Sequence, residues 1–354
     1  MYRLAESLDV DAFYTHSRRA FEEMLAAGMT TVGEFHYLHH PGAHTSIPIE
    51  QQWAFDAAVA RAAGDAGIRL VLMQAFYATG NFTTPLSGAQ ERFGPISRDA
   101  FANQLRRLAN QLDSSRQSLS VACHSVRAVA LDDLRYFRDM AHANGWPFHI
   151  HVEEVRKEID DCRAASGQTP MRLLLDNLRI DERVTAIHCT HSTTEDLDEW
   201  IARGASICVC PITEGNLSDG FADVPHIRAR GGRVCFGSDC NIRICVTEEL
   251  RMLEFSQRLR REQRGIVVDA DGGCAAALME IGTINGAHAL DVPAGAIEVG
   301  KHADLLTINL DHPLMLGAGD EATADSFIFG CGNAPIDQVW VAGVERAFEQ
   351  RDRL

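Results

Sequence analysis

Short apolar runs rich in β-branched residues recur along this chain. They fall at Thr30 to Tyr37, Leu70 to Tyr77, Leu119 to His124, Phe148 to Glu153, Val184 to His188, Ser206 to Ile212 and Val234 to Asp239. Amphipathic segments separate them. Phe101, Leu105, Leu108 and Leu112 stand at helical spacing. Thr193, with Asp196 three residues on, has the pattern of a capping box. Near-continuous apolar strands alternating with helices predict an α/β protein whose parallel sheet is covered on both faces. Repeats of this length build either a (β/α)8 barrel or a doubly wound sheet.

The polar residues choose between these. Most runs end in reactive side chains: Glu34-Phe35-His36-Tyr37, His124-Ser125-Val126-Arg127, His149-Ile150-His151-Val152-Glu153-Glu154, His188-Cys189-Thr190-His191 and Gly237-Ser238-Asp239-Cys240. Chemistry gathered at the C-terminal ends of many strands marks the active face of a TIM-type barrel, whereas a doubly wound sheet concentrates it at one switch point. Seven strands are expected rather than eight, because a helical pattern comes before Thr30 where the first strand would lie. The barrel is assigned to residues 1–291. Residues 292–354 change character, with Ala303 to Asn309 and Val339 to Phe348 as strands of a partial small β domain.

His151, His188 and Asp239 close three different runs. Imidazoles with a carboxylate suit Zn²⁺ or a similar divalent ion. Glu154 follows His151 by three. Residues three apart in a strand point to opposite faces, so the two share a site only if the strand ends near Val152 and the chain turns. A carboxylate so placed could shuttle protons, worth about 10² to 10⁴-fold in rate. His149 has the parity of His151 one layer deeper and is assigned a structural role.

These strings resemble the fifth, sixth and eighth strand motifs of the amidohydrolase superfamily. Thr283-Ile284-Asn285-Gly286-Ala287 and Gly300-Lys301-His302-Ala303-Asp304 resemble its late segments. Glu34-Phe35-His36-Tyr37-Leu38-His39-His40, His124-Ser125-Val126-Arg127 and Asp239-Cys240-Asn241-Ile242-Arg243 are similar to the formimidoylglutamate deiminase branch. The resemblance implies hydrolysis of N-formimidoyl-L-glutamate to N-formyl-L-glutamate and ammonia. It implies His151 and Asp239 as metal ligands, with Asp239 also taking a proton from water. Glu154 would protonate the departing nitrogen, and His188 would hydrogen-bond the attacking oxygen. Tyr37, His124 and Arg127 would hold the substrate, since a guanidinium matches a carboxylate in bidentate fashion.

One departure sets a further expectation. The superfamily carries His-x-His on its first strand, yet the sole histidine before His36 is His16, in a helical pattern. Two protein ligands are fewer than the usual three plus water of a catalytic zinc site. Weak metal binding and poor activity are therefore expected, with the chain starting at an internal Met or being a degenerate paralogue. Two other functions stay open. One is an aminohydrolase of a cyclic amidine or purine, which aromatic stacking at strand ends would favour. The other is a non-catalytic remnant.

Composition narrows the partners. Of 354 residues, 33 are Lys or Arg against 49 Asp or Glu, a formal charge of −16. That balance lacks the basic footprint of a nucleic-acid binder. No apolar run nears the ~18 residues of a membrane span. A small carboxylate-bearing substrate, a homodimer partner and a cytoplasmic location are expected. The ten cysteines include no Cys-x-x-Cys, and Cys189, Cys208, Cys210 and Cys235 sit in apolar runs, as reduced buried thiols do. Gly295 to Lys301 mimics a phosphate loop, but His302 stands where Ser or Thr is needed, so a turn is expected there.

Overall fold

The computed structural model describes residues 2–43, 46–94 and 97–346. Seven strands follow one another in chain order in one sheet: β1 Thr31–His36, β2 Arg69–Phe76, β3 Gln117–Ser125, β4 Phe148–Val152, β5 Val184–His188, β6 Ser206–Val209 and β7 Arg233–Phe236. Helices lie between consecutive strands, and a three-stranded antiparallel sheet of β8 Leu305–Ile308, β9 Ile336–Val341 and β10 Val344–Arg346 comes last. This is a TIM-type α/β fold with a small β-sheet. Among the described residues no helix is long and apolar enough to cross a membrane.

The chain divides into two compact units. Residues 1–21 with 31–185 form one, and residues 22–30 with 186–354 form the other. In the first unit β1 to β4 pair in parallel. Every residue of β2 is buried, as expected of a strand covered on both faces. Phe76, Phe101 and Phe137 pack ring to ring beside it at 4.6–5.2 Å. The helical spacing read from Phe101 to Leu112 becomes the helix Arg98–Gln111, capped by Ser97.

In the second unit β6 and β7 pair in parallel, with Val209 opposite Phe236. The run expected to reach Ile212 stops at Val209, because Pro211 opens a helix, Pro211–Leu217. Proline fits a first helical turn but lacks the N–H a central strand needs. Thr193 caps the helix Thr194–Ala202 through the Asp196 N–H at 3.2 Å. The Gly295 to Lys301 segment is turns, with Lys301 N–H donating to Glu298 O at 3.1 Å. Of the last expected strand pair, Phe348 lies outside the described residues. All ten cysteines are free thiols.

Candidate active site

In the first unit the ends of β1, β3 and β4 carry Tyr37, His124, Arg127, His151 and Glu154. The β3–β4 register shifts between Cys123 and Ser125, so His124 sits at a bulge. A bulge bends the strand and re-aims the side chain it carries. The bulged carbonyl has a use: His151 Nδ1 donates to His124 O at 2.9 Å. With its proton on Nδ1, the His151 ring has its lone pair on Nε2. A backbone carbonyl fixing a ring in this way is the usual support of a histidine metal ligand.

Aromatic rings surround the two imidazoles. Phe35 lies 4.3 Å from His151, and Tyr77 lies 4.4 Å from His124. Tyr37 is 5.9 Å from His124 and 4.9 Å from Phe93. Arg127 is half-buried and donates Nη1 to Gly80 O at 2.9 Å. Glu158 and Asp161 are its acidic neighbours; burial pushes the Glu158 carboxyl up to about 7 against the pull of Arg127. Beyond Val152 the chain does turn. Glu153 has φ +54°, is buried, and accepts Met171 N–H at 3.0 Å, while Glu154 is half-buried. The backbone condition set for Glu154 is met. His149 pairs through Nδ1 with Ser120 Oγ at 2.9 Å in the interior, which is a structural use.

A second cluster in this unit is fully internal. Asp56 Oδ1 meets His36 Nε2 at 2.9 Å and His39 Nδ1 at 3.0 Å; Oδ2 accepts Gln74 Nε2 at 2.6 Å and Gln104 Nε2 at 2.5 Å. Burial alone would raise the Asp56 carboxyl, but the charges and hydrogen bonds of His39 and His36 hold it well below the usual carboxylate range. Although two imidazoles and a carboxylate stand together, this group does not fit a metal. Four donors already fill the carboxylate, and His39 Nε2 is spent on Ala75 O at 2.9 Å.

In the second unit His188 and Asp239 close β5 and follow β7. Both have left-handed backbone, φ +74° and +45°, as does Cys189 at +52°. Such conformations on non-glycine residues concentrate at functional sites. One oxygen, Glu214 Oε1, accepts from His188 Nδ1 at 3.2 Å and from Cys210 N–H at 2.8 Å. That leaves His188 Nε2 as the ring's lone-pair nitrogen. Burial raises the Glu214 carboxyl, partly offset by His188. Glu249 accepts Ile212 N–H at 3.0 Å, and burial pushes it up to about 8. Asp219 is also raised by burial and feels the charges of His188, Asp239 and His191.

His188, Cys210 and Asp239 each place one ligand-type atom within 4.8 Å of the others. Imidazole, carboxylate and thiol are donors that zinc accepts, so the donor chemistry in this unit fits a divalent metal. Glu214 and Asp219 were not singled out from the sequence, and Cys210 was read there only as a reduced buried thiol. The available signal was Cys210-Pro211, a thiol left at a strand end by the proline that starts the next helix.

The chain belongs to the amidohydrolase family, which residues 4–346 match. A formimidoylglutamate deiminase from Pseudomonas aeruginosa is 35% identical over 97% of this chain and 75% of its own length. A 5-methylthioadenosine/S-adenosylhomocysteine deaminase from Aquifex aeolicus is 27% identical, over 82% of this chain and 64% of its own length. A crystal structure of an amidohydrolase from Brucella melitensis superposes with a TM-score of 0.89 at 34% identity, covering 98% of this chain and 76% of that one.

Proposed function

We propose that this amidohydrolase is a metal-dependent deiminase of N-formimidoyl-L-glutamate, producing N-formyl-L-glutamate and ammonia. The observation that carries the reading is Arg127, a half-buried guanidinium three residues after His124 that donates Nη1 to Gly80 O at 2.9 Å. A guanidinium in that setting suits a substrate carboxylate. The 35% identity to a formimidoylglutamate deiminase supports the same substrate.

The residue roles follow the resemblance. In the first unit His151 offers Nε2 to the metal, Glu154 carries a proton to the departing nitrogen, and Tyr37, His124 and Arg127 orient the substrate. In the second unit Asp239 is a metal ligand and accepts a proton from the attacking water, and His188 Nε2 hydrogen-bonds the attacking oxygen. Zinc, when bound, supplies Lewis acidity at neutral pH. Water adds to the formimidoyl carbon, the C–NH2 bond breaks, and the proton taken by Asp239 balances the one that leaves with ammonia.

A second reading has its own observation. Phe35, Tyr37 and Tyr77 form an aromatic wall at strand ends that would stack a purine, and deaminases of purine nucleosides are among the relatives. One experiment separates the two. The purified chain with zinc is assayed for ammonia from N-formimidoyl-L-glutamate and from 5-methylthioadenosine. The deiminase reading predicts release from the former, lost in Asp239→Asn. It also predicts that N-formyl-L-glutamate raises the melting temperature of the wild type but not of Arg127→Met. Release from the purine alone, or no thermal shift with N-formyl-L-glutamate, would reject it.

A further inference from the structure

We propose that Cys210 Sγ is a protein donor to the divalent metal, acting with Asp239 and with His188 Nε2, which in this arrangement binds the ion itself in place of the hydrogen bond to the attacking oxygen assigned above. The inference rests on the metal-dependent reading above and adds a thiolate that the family resemblance did not assign.

Three observations within the second unit carry it. The first is spacing. One donor atom each from His188, Cys210 and Asp239 lies within 4.8 Å of the other two. Bonds of about 2.0–2.3 Å to a tetrahedral ion place ligand atoms about 3–4 Å apart. An inward shift of about an ångström by rotamer adjustment therefore suffices. The second is shared positioning. Glu214 Oε1 accepts the backbone N–H of Cys210 and the Nδ1 of His188, so one carboxylate oxygen ties the Cys210 backbone to the His188 ring. A carboxylate behind a ligating imidazole fixes its tautomer and raises its basicity. The third is how the thiol reaches this place. Cys210 precedes Pro211, whose helix ends β6 early, and its own φ of −127° with ψ of 70° is neither strand nor helix. Gly237 lies beside the thiols, and a Cβ there would sit 3.5 Å from Cys210 Sγ and 3.6 Å from Cys208 Sγ.

The competing reading is a packed thiol. Cys210 is 2% exposed and hydrogen-bonded to Cys208, and a buried free cysteine often serves as a small hydrophobe. Packing accounts for the burial. Capping of the helix Pro211–Leu217 accounts for the Glu214 contact to Cys210 N–H; neither accounts for His188 on the same oxygen with the carboxylate of Asp239 in the same small group.

Coordination would break the Cys210 S–H bond, form a sulfur–metal bond and release one proton to the buffer. A thiolate donor also favours Zn²⁺ or Co²⁺ over Mg²⁺.

The test is Co²⁺ titration of the full chain, read by absorption and by proton release. The wild type is expected to show visible d–d bands together with a near-ultraviolet sulfur-to-cobalt charge-transfer band. Cys210→Ser should keep the visible bands, lose the charge-transfer band and release one proton fewer per ion. Cys208→Ser and Cys235→Ser should keep the charge-transfer band, which tests the assignment even if Cys210→Ser fails to fold. Cobalt bound without a charge-transfer band, or a band that survives Cys210→Ser, would overturn the thiolate and leave the metal-dependent reading intact. No cobalt binding by the wild type would overturn both.

Discussion

Asp56 shows how far a single side chain can be committed to the interior. It is fully buried, and its two oxygens receive four side-chain contacts from His36, His39, Gln74 and Gln104. Asp56→Asn keeps the shape but turns an NH2 toward Gln74 and Gln104, which are donors themselves. Breaking a buried, paired charge costs about 3–5 kcal/mol. We expect a loss of that order in urea unfolding; a loss below ~1 kcal/mol would show the network to be dispensable. The pH sign is also set. The carboxyl lies below its usual range when folded, so its contribution is present above the unfolded value near 4 and fades as pH falls through the folded one. The string Glu34 to His40 was legible as one motif, but not as three destinations. Tyr37 joins the ring wall, His36 and His39 hold Asp56, and His40 Nδ1 accepts Trp53 N–H at 3.0 Å. Asp56, Gln74 and Gln104 stand far along the chain, and no local pattern announces them.

At the scale of elements, the strands were legible because their apolar runs are near-continuous, and the first five ran close to the expected bounds. The later two were read too long. In both cases polar or proline residues follow the core: Cys210-Pro211 after β6 and Gly237-Ser238-Asp239 after β7. The cap at Thr193 was legible from a local rule, and Thr193→Ala should cost about 1 kcal/mol in the same unfolding assay, with far-ultraviolet circular dichroism unchanged. The helix Pro211–Leu217 was not legible, although it supplies Glu214. Its partners lie on other elements: His188 at the end of β5 and, through Ile212 N–H, Glu249 of the helix Val246–Arg261. Glu214→Gln would still accept from Cys210 N–H but would hold His188 without a charge. Outer partners of metal ligands are worth about 10–100-fold in affinity, so zinc should bind weaker by that factor, measured against a competing chelator dye. Unchanged affinity would mean that Glu214 only caps its own helix.

Taken over the whole molecule, the formal charge of −16 counts every carboxyl as ionised. Burial contradicts that for three of them. Glu34 and Glu158 are pushed up to about 7 and Glu249 to about 8, each with burial as the largest cause. An unfolded chain would lose all three protons near 4.5. Between that pH and about 8 these three groups bind fewer protons in the unfolded state than in the folded one, so their contribution to stability falls as pH rises. The slope is about 1.4 kcal/mol per pH unit for each group while it is fully out of balance. Above the folded values the loss is complete. Glu249 gives the cleanest test, since a glutamine keeps an oxygen for Ile212 N–H and has no proton to lose. Urea midpoints at pH 5 and pH 8 should fall by less in Glu249→Gln than in the wild type, by a few kcal/mol in stability terms. Equal falls would place the titration elsewhere. The direction is opposite to that set by Asp56, so the fold is squeezed from both sides, by acid through a paired carboxylate and by base through buried neutral ones.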